Sequence, residues 1–236
     1  MPLPSQIVGR FKLVVLKAVP VRLWMKYAWE RRARRNAMHY IADFRLAWQN
    51  HEEFFLTGED DVERFLAPTG WTNLQSASLL EIGCGVGRMT RHLASRFRNV
   101  TAIDVAASMI EQAKSLNPEL KNVTFEVGSG VDLAQFPDGS FDYIISYIVF
   151  QHIPRVEIIY NYIRESLRVL KPGGRFRFQA RNCPPGAYAD TYTGAAIDLN
   201  EVRRIAEAAG WRVLSVSGQG ELFCFVEIGK GKAGAD

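Results

Sequence analysis

Leu79-Leu-Glu-Ile-Gly-Cys-Gly-Val-Gly-Arg88 is the stretch from which the fold can be read. The apolar run Ser78 to Ile82 has the length of a buried strand and carries one acid, Glu81, near its end. It breaks into Gly83, Gly85 and Gly87, and the amphipathic segment that follows predicts a helix over 88–97. Strand, glycine turn and helix make a cradle for a nucleotide-like ligand, because a backbone without Cβ atoms can approach it closely. A dinucleotide fingerprint requires Gly-x-Gly-x-x-Gly. Here Arg88 stands at the third position and the glycines run Gly-x-Gly-x-Gly instead. The small residue that brings a pyrophosphate-binding helix against its strand is missing, so a nicotinamide dehydrogenase is the poorest fit. Glu81 beside the turn suits a cationic or amino-bearing ligand better.

Outward from this turn the pattern alternates. Apolar runs predict strands at 78–82, 99–103, 123–127, 141–148 and 175–180, and helical periodicity predicts helices at 88–97, 106–115, 155–170 and 199–209. Asp198 is a fitting cap for the last helix, and Gly210 ends it. Two final strands near 211–217 and 222–228 flank Gly218-Gln-Gly220 as a hairpin. This order implies an α/β fold with a parallel sheet and one antiparallel closing strand. Before it, Ala37, Ile41, Phe44 and Trp48 predict one long helix over 21–50, and a second piece spans 59–66. We therefore divide the chain into a basic N-terminal helical cap (1–74), a core (75–230) and a disordered tail (231–236).

Of 236 residues, 47% are hydrophobic and 23% charged, as in an ordinary globular protein. Cys84, Cys183 and Cys224 are too few for a disulfide framework and have no metal spacing with His39, His51, His92 or His152, so a reducing, cytoplasmic setting without a metal is expected. The apolar stretch Leu13 to Trp24 is broken by Lys17, Pro20 and Arg22, which argues against a signal peptide or a membrane span. Charge is uneven. Residues 1–48 hold ten Lys/Arg against two Asp/Glu, whereas the whole chain is only +4. The basic front fits a solvated helix face, peripheral contact with an anionic membrane, or nucleic acid.

Further motifs line up with the glycine turn. Asp104 closes the second strand about twenty residues after the glycines, where a carboxylate can accept both hydroxyls of a ribose. The third strand ends in Val127-Gly-Ser-Gly130, Pro137-Asp-Gly-Ser-Phe-Asp142 leads into the fourth, and Leu170-Lys-Pro-Gly-Gly-Arg175 forms a turn before the fifth. Taken in order, this set resembles the class I S-adenosylmethionine-dependent methyltransferases over about residues 75–230. The resemblance implies a Rossmann-like, doubly wound, seven-stranded sheet with an N-terminal helical cap. It also implies S-adenosyl-L-methionine as methyl donor.

The resemblance implies residue roles as well. Gly83, Cys84, Gly85 and Gly87 would pass under the methionine end of the cofactor, with Glu81 helping to hold its amino-acid moiety. Asp104 would take the ribose hydroxyls, and Val105 and Met109 would flank the adenine. Ser129 stands where this family usually has an acid toward the adenine amino group, a departure that removes charge assistance. Asp132 could substitute for it, while Gly130 would address a ring nitrogen; Val131 and Ser146 complete the implied set. Glu81 could also pair with a nearby Arg, and Asp104 could cap the following helix.

In doubly wound sheets the reactive end lies beyond the strand C-termini at the switch point, here between the first and fourth strands. The segment there, Ser146 to Pro154, holds His152, a candidate base or else a structural histidine. Gln151 is a candidate for the methionine carboxylate or the substrate, and Tyr147 and Phe150 are pocket walls or core. Residues 24–66, with Trp29, Tyr40, Phe44, Phe54 and Phe55, and the loop from Arg181 to Tyr192, with Pro184, Pro185, Tyr188 and Tyr192, are the expected walls around the acceptor. No Asn-Pro-Pro-Tyr type motif follows the fourth strand, which argues against methylation of base or glutamine amino groups. The expected enzyme is a small-molecule methyltransferase, most simply an O-methyltransferase. The alternatives are an RNA or protein methyltransferase using the basic front, and a non-catalytic cofactor-binding subunit. Neither the acceptor nor the oligomeric state follows from the sequence.

Overall fold

The structure, a computed structural model, describes residues 20–42, 51–183 and 190–230. Its helices are α1 (Val21–Ile41), α2 (His51–Leu66), α3 (Thr90–Ala94), α4 (Ala107–Leu116), α5 (Val156–Val169) and α6 (Leu199–Ala208). Its strands are β1 (Ser78–Ile82), β2 (Asn99–Asp104), β3 (Val123–Val127), β4 (Phe141–Ser146), β5 (Leu170–Arg181), β6 (Arg212–Ser217) and β7 (Phe223–Gly229). They form one sheet in the order β3-β2-β1-β4-β5-β7-β6. The first five strands run parallel, and β7 lies antiparallel between β5 and β6. This is the expected doubly wound α/β sheet, and its strand order reverses between β1 and β4.

Both faces of the sheet are covered, which is why the central strands are mostly apolar. Phe150, Tyr162, Phe176 and Phe178 join the apolar sides of α5 and α6 in one core layer. Val62 and Phe65 of α2 pack with Leu93, Phe97 and Ile110 on the other. Phe150, Phe176 and Phe178 are fully buried, and each contributes about 1.5–3 kcal/mol through burial. The α6 start is the expected cap: the Asp198 carboxylate accepts the Asn200 N–H at 2.8 Å.

Several boundaries differ from the sequence expectation. The helix expected over 21–50 breaks at Asn36, whose backbone is extended (φ −171°, ψ 90°). The Asn36 side chain accepts the His39 N–H at 3.2 Å and so caps a short second piece. α2 starts at His51 rather than at 59. Gly58 lies inside it, because a Cβ there would come within 2.1 Å of the Arg88 carbonyl oxygen; the glycine lets the helix pass against the turn. The helix expected over 88–97 shortens to α3, since the glycine turn extends through its first residues. The expected turn at Leu170-Lys-Pro-Gly-Gly174 is instead part of β5. Leu170 pairs with Phe141, the register then shifts, and pairing resumes at Arg175 and Tyr143. The first nineteen residues, Phe44, Trp48, Pro184, Pro185, Tyr188 and the tail 231–236 lie outside the described residues.

Candidate active site

A cleft opens beyond the C-terminal ends of β1, β2 and β4, at the switch point, with about 950 Å³ of empty space including its open mouth. Its floor is the glycine turn. The Gly83 and Cys84 N–H groups both donate to the Ile103 carbonyl, at 2.7 and 3.0 Å, and the Gly85 N–H donates to Asp104 Oδ2 at 3.0 Å. The turn is thus stapled to the end of β2. Gly83 and Gly85 adopt φ of +80° and +55°, values that disfavour any side chain. A Cβ on Gly83 would lie 2.2 Å from a Val149 methyl carbon.

Two carboxylates stand on this floor, Glu81 buried and Asp104 half-buried. Asp104 Oδ1 accepts the Ala106 N–H at 2.9 Å while Oδ2 accepts Gly85. The helix-capping role and a ligand role therefore coexist on one side chain, since each carboxylate oxygen can accept more than one donor. Burial outweighs these bonds and pushes the Asp104 carboxyl up to about 6. Glu81 Oε2 accepts the Thr90 hydroxyl at 2.6 Å, and burial pushes this carboxyl up to about 7. Glu81 takes that hydroxyl rather than an arginine. Arg88 turns away and pairs with Asp61 of α2 at 2.7 Å, and it also donates to Thr57 at 3.2 Å.

His152 lies in the cleft wall, edge-on to Trp29 with ring centroids 5.3 Å apart. Its Nδ1 is 3.1 Å from the Thr191 carbonyl oxygen. A carbonyl only accepts, so Nδ1 carries the hydrogen and Nε2 keeps its lone pair. Burial, with the Arg32 cation nearby, pushes the imidazole down to about 4, so the ring is neutral at neutral pH. Tyr147, also in the wall, donates to Asp61 at 3.3 Å; burial pushes its phenol up to about 12 and keeps it protonated.

The roof is α1. Met25, Trp29, Tyr40 and Ile41 line the cleft from this helix. Glu30 bonds both the N–H and the hydroxyl of Ser108 at the start of α4, and Gln112 donates to the Ala33 carbonyl at 3.1 Å. At the other side Arg32 donates to the Thr191 hydroxyl at 2.8 Å. Its guanidinium lies between the Trp29 and Tyr192 rings, 4.5 and 3.9 Å from their centroids.

Of the residues singled out by sequence, Glu81, Gly83, Cys84, Gly85, Asp104, Val105, Met109, Gly130 and His152 meet in the cleft lining. Gly87, Ser129, Val131, Ser146 and Gln151 are not part of that lining. Gly87 backs onto Asn117 and Phe125. The Ser129 hydroxyl accepts the Val131 and Asp132 N–H groups and donates to Asp132 Oδ1, closing its own turn. Ser146 is fully buried at the end of β4. Gln151 turns its amide nitrogen to within 3.4 Å of His152 Nε2. Of the expected acceptor walls, Trp29 and Tyr40 line the cleft, whereas Phe54 and Phe55 are buried beneath it.

Sequence reasoning missed Met25, Ile148 and Tyr162, which line the cleft, and Arg32, which clamps its roof. Ile148 has φ of +57°, unfavourable for a β-branched residue; the Gln179 side chain holds it by accepting its N–H at 3.1 Å. Tyr162 reaches across from α5 toward Gly130 and Ser129.

A glycine-rich floor and carboxylates at two separate points fit an adenosyl amino acid. Comparison with known proteins agrees. Residues 80–178 match a methyltransferase domain family. Over 124 residues the chain is 35% identical to a ubiquinone biosynthesis O-methyltransferase of Xanthomonas oryzae, covering 52% of this chain and 51% of that protein. It is 37% identical over 98 residues to a 2-methyl-6-phytyl-1,4-hydroquinone methyltransferase of Synechocystis, covering 41% of this chain and 30% of that protein. The chain thus spans about half the length, or less, of these curated relatives. An S-adenosylmethionine-dependent methyltransferase structure from Mesorhizobium loti superposes with a TM-score of 0.59 at 17% identity, covering 74% of this chain and all of that one, which bears on the fold alone. The ordered motifs, the strand order and the methyltransferase domain matched over residues 80–178 support a class I S-adenosylmethionine-dependent methyltransferase.

Proposed function

We propose that this chain transfers a methyl group from S-adenosyl-L-methionine to a hydroxyl of a small, apolar acceptor. The observation that carries the reading is the cleft lining, where a neutral His152, its Nε2 lone pair turned to the Gln151 amide at 3.4 Å, stands with Met25, Trp29, Tyr40 and Tyr147. When bound, the cofactor supplies an electrophilic methyl on a sulfonium. Glu81 attracts the amino group of its methionine end, Asp104 accepts the ribose hydroxyls, and the apolar wall holds the acceptor in line while excluding water. His152 Nε2 would take the hydroxyl proton as the acceptor oxygen gains the methyl group and the remainder of the donor leaves as a neutral thioether. The names of the relatives support a quinone- or hydroquinone-type acceptor.

Incubating the chain with methyl-labelled donor and hydroquinones of increasing tail length, then reading products by mass spectrometry, tests this. One added methyl on oxygen is expected. Intact donor binding with no methylated hydroxyl in any acceptor would contradict it. His152→Gln should lower kcat by about 10²- to 10⁴-fold and leave S-adenosylhomocysteine affinity unchanged; equal losses in both would make the histidine structural.

The raised carboxyls set a pH dependence of opposite sign for affinity and stability. The ligand's ammonium and hydroxyls favour ionised Glu81 and Asp104, so affinity should fall as pH drops through about 7 and then about 6. Without ligand the protonated forms are the ones burial favours. Their contribution to stability is present in acid and is lost as pH rises through the same two values. Calorimetry and thermal unfolding at pH 5 and 8 (about one unit outside the two values) check both signs; parallel trends would refute the assignment.

A further inference from the structure

We propose that the outer face of α1 docks the chain on an anionic lipid bilayer. The helix has two chemically opposite sides. Met25 and Trp29 face the cleft, and Arg32 and Ala33 are buried on the same side. On the other side Leu23 and Tyr27, one turn apart, are 49% and 66% exposed. Arg22, Lys26, Arg31, Arg34 and Arg35 surround them, all exposed. Glu30 is the helix's one acid, and it pairs with Arg34 at 2.9 Å.

A bilayer containing anionic lipid answers both parts of this surface. Its negative potential attracts the cations, and its interface takes up a leucine and the amphipathic ring of a tyrosine. Nucleic acid would satisfy the cations but leaves an exposed leucine–tyrosine pair with little to bury against. No described helix is long and apolar enough to cross a membrane, so the contact is one of surface docking. The docking itself follows from surface chemistry. Its use, admitting a lipophilic acceptor to the cleft from beneath the same helix, rests on the function proposed above.

The test is co-sedimentation of the full chain with vesicles of phosphatidylcholine alone, or of phosphatidylcholine mixed with phosphatidylglycerol, alongside retention on single-stranded RNA. Binding to the mixed vesicles is expected, weakening as salt is raised. Neutralising Arg22, Lys26, Arg31 and Arg35 to Gln should weaken it roughly five-fold per cation, and L23S/Y27S should weaken it several-fold at unchanged charge. S-adenosylhomocysteine affinity should stay as in wild type throughout, which shows that the variants are folded. Equal binding to both vesicle types, indifference to both sets of substitutions, or retention on RNA without vesicle binding would overturn the proposal. A wild-type chain that binds anionic vesicles but not S-adenosylhomocysteine would leave the docking standing and remove the functional reading.

Discussion

Asp104→Ala should weaken S-adenosylhomocysteine binding by about 10²- to 10⁴-fold, because two hydrogen bonds to a charged acceptor are lost at about 1.5–3 kcal/mol each. Its structural cost should be visible separately. The Gly85 and Ala106 N–H groups both donate to this carboxylate, and leaving buried donors without a partner lowers stability. Asp104→Asn divides the two effects. The amide keeps one oxygen acceptor and the shape but turns an N–H donor toward a backbone or ribose donor. It should lose part of the stability, because the amide nitrogen then meets one of the two backbone N–H donors, and bind the ligand between wild type and Asp104→Ala. Thermal unfolding and calorimetry on the three proteins measure this. An alanine variant that binds within a few-fold of wild type would show that the ribose is not held here.

Gly83→Ala should be the most damaging single methyl group in the floor of the cleft. The new Cβ would meet Val149 at 2.2, 2.8 and 3.0 Å, and the backbone sits at φ +80°. Strain and overpacking each cost about 1–3 kcal/mol, so a loss of about 2–6 kcal/mol in stability is expected, with loss of ligand binding as the turn shifts. Gly85→Ala makes a useful contrast. Its Cβ would meet the terminal carbon of Ile41 at 2.6 Å, the far end of a side chain that can swing aside, so the smaller loss is expected. Adding Val149→Ala to Gly83→Ala should recover part of the stability, because the two residues share one contact. Strictly additive losses would show that the Val149 contact is not the cause.

What the sequence made legible was local. A strand that ends in Gly83-x-Gly85-x-Gly87 must turn sharply, and Asp104 at the end of the next parallel strand must stand beside it; short-range backbone geometry dictates both. Asp198 as a cap and the closing hairpin were readable for the same reason. The roof was not. Arg32 meets Thr191 across 159 residues of chain, and no spacing signals such a pairing. The break of α1 at Asn36 was hidden by apolar periodicity that continues through Ala37 and Ile41, so the wrong length was assigned to that helix. α2 is longer than the piece expected over 59–66, and Gly58 lies inside it, where its bare α-carbon allows close approach to Arg88. Ser129 was placed by motif position, but its hydroxyl is committed to its own turn. Tyr162 was invisible because its helix is remote in sequence from the glycine turn.

One measurement bears most directly on the claim that the glycine turn and Asp104 together hold an adenosyl amino acid: titration of S-adenosylhomocysteine into the wild-type chain at pH 8 (about one unit or more above both raised carboxyls), followed by calorimetry. The account predicts saturable binding at a single site per chain, competed by S-adenosylmethionine and indifferent to nicotinamide nucleotides. No saturable heat with either adenosyl ligand, or displacement by a nicotinamide nucleotide, would contradict it.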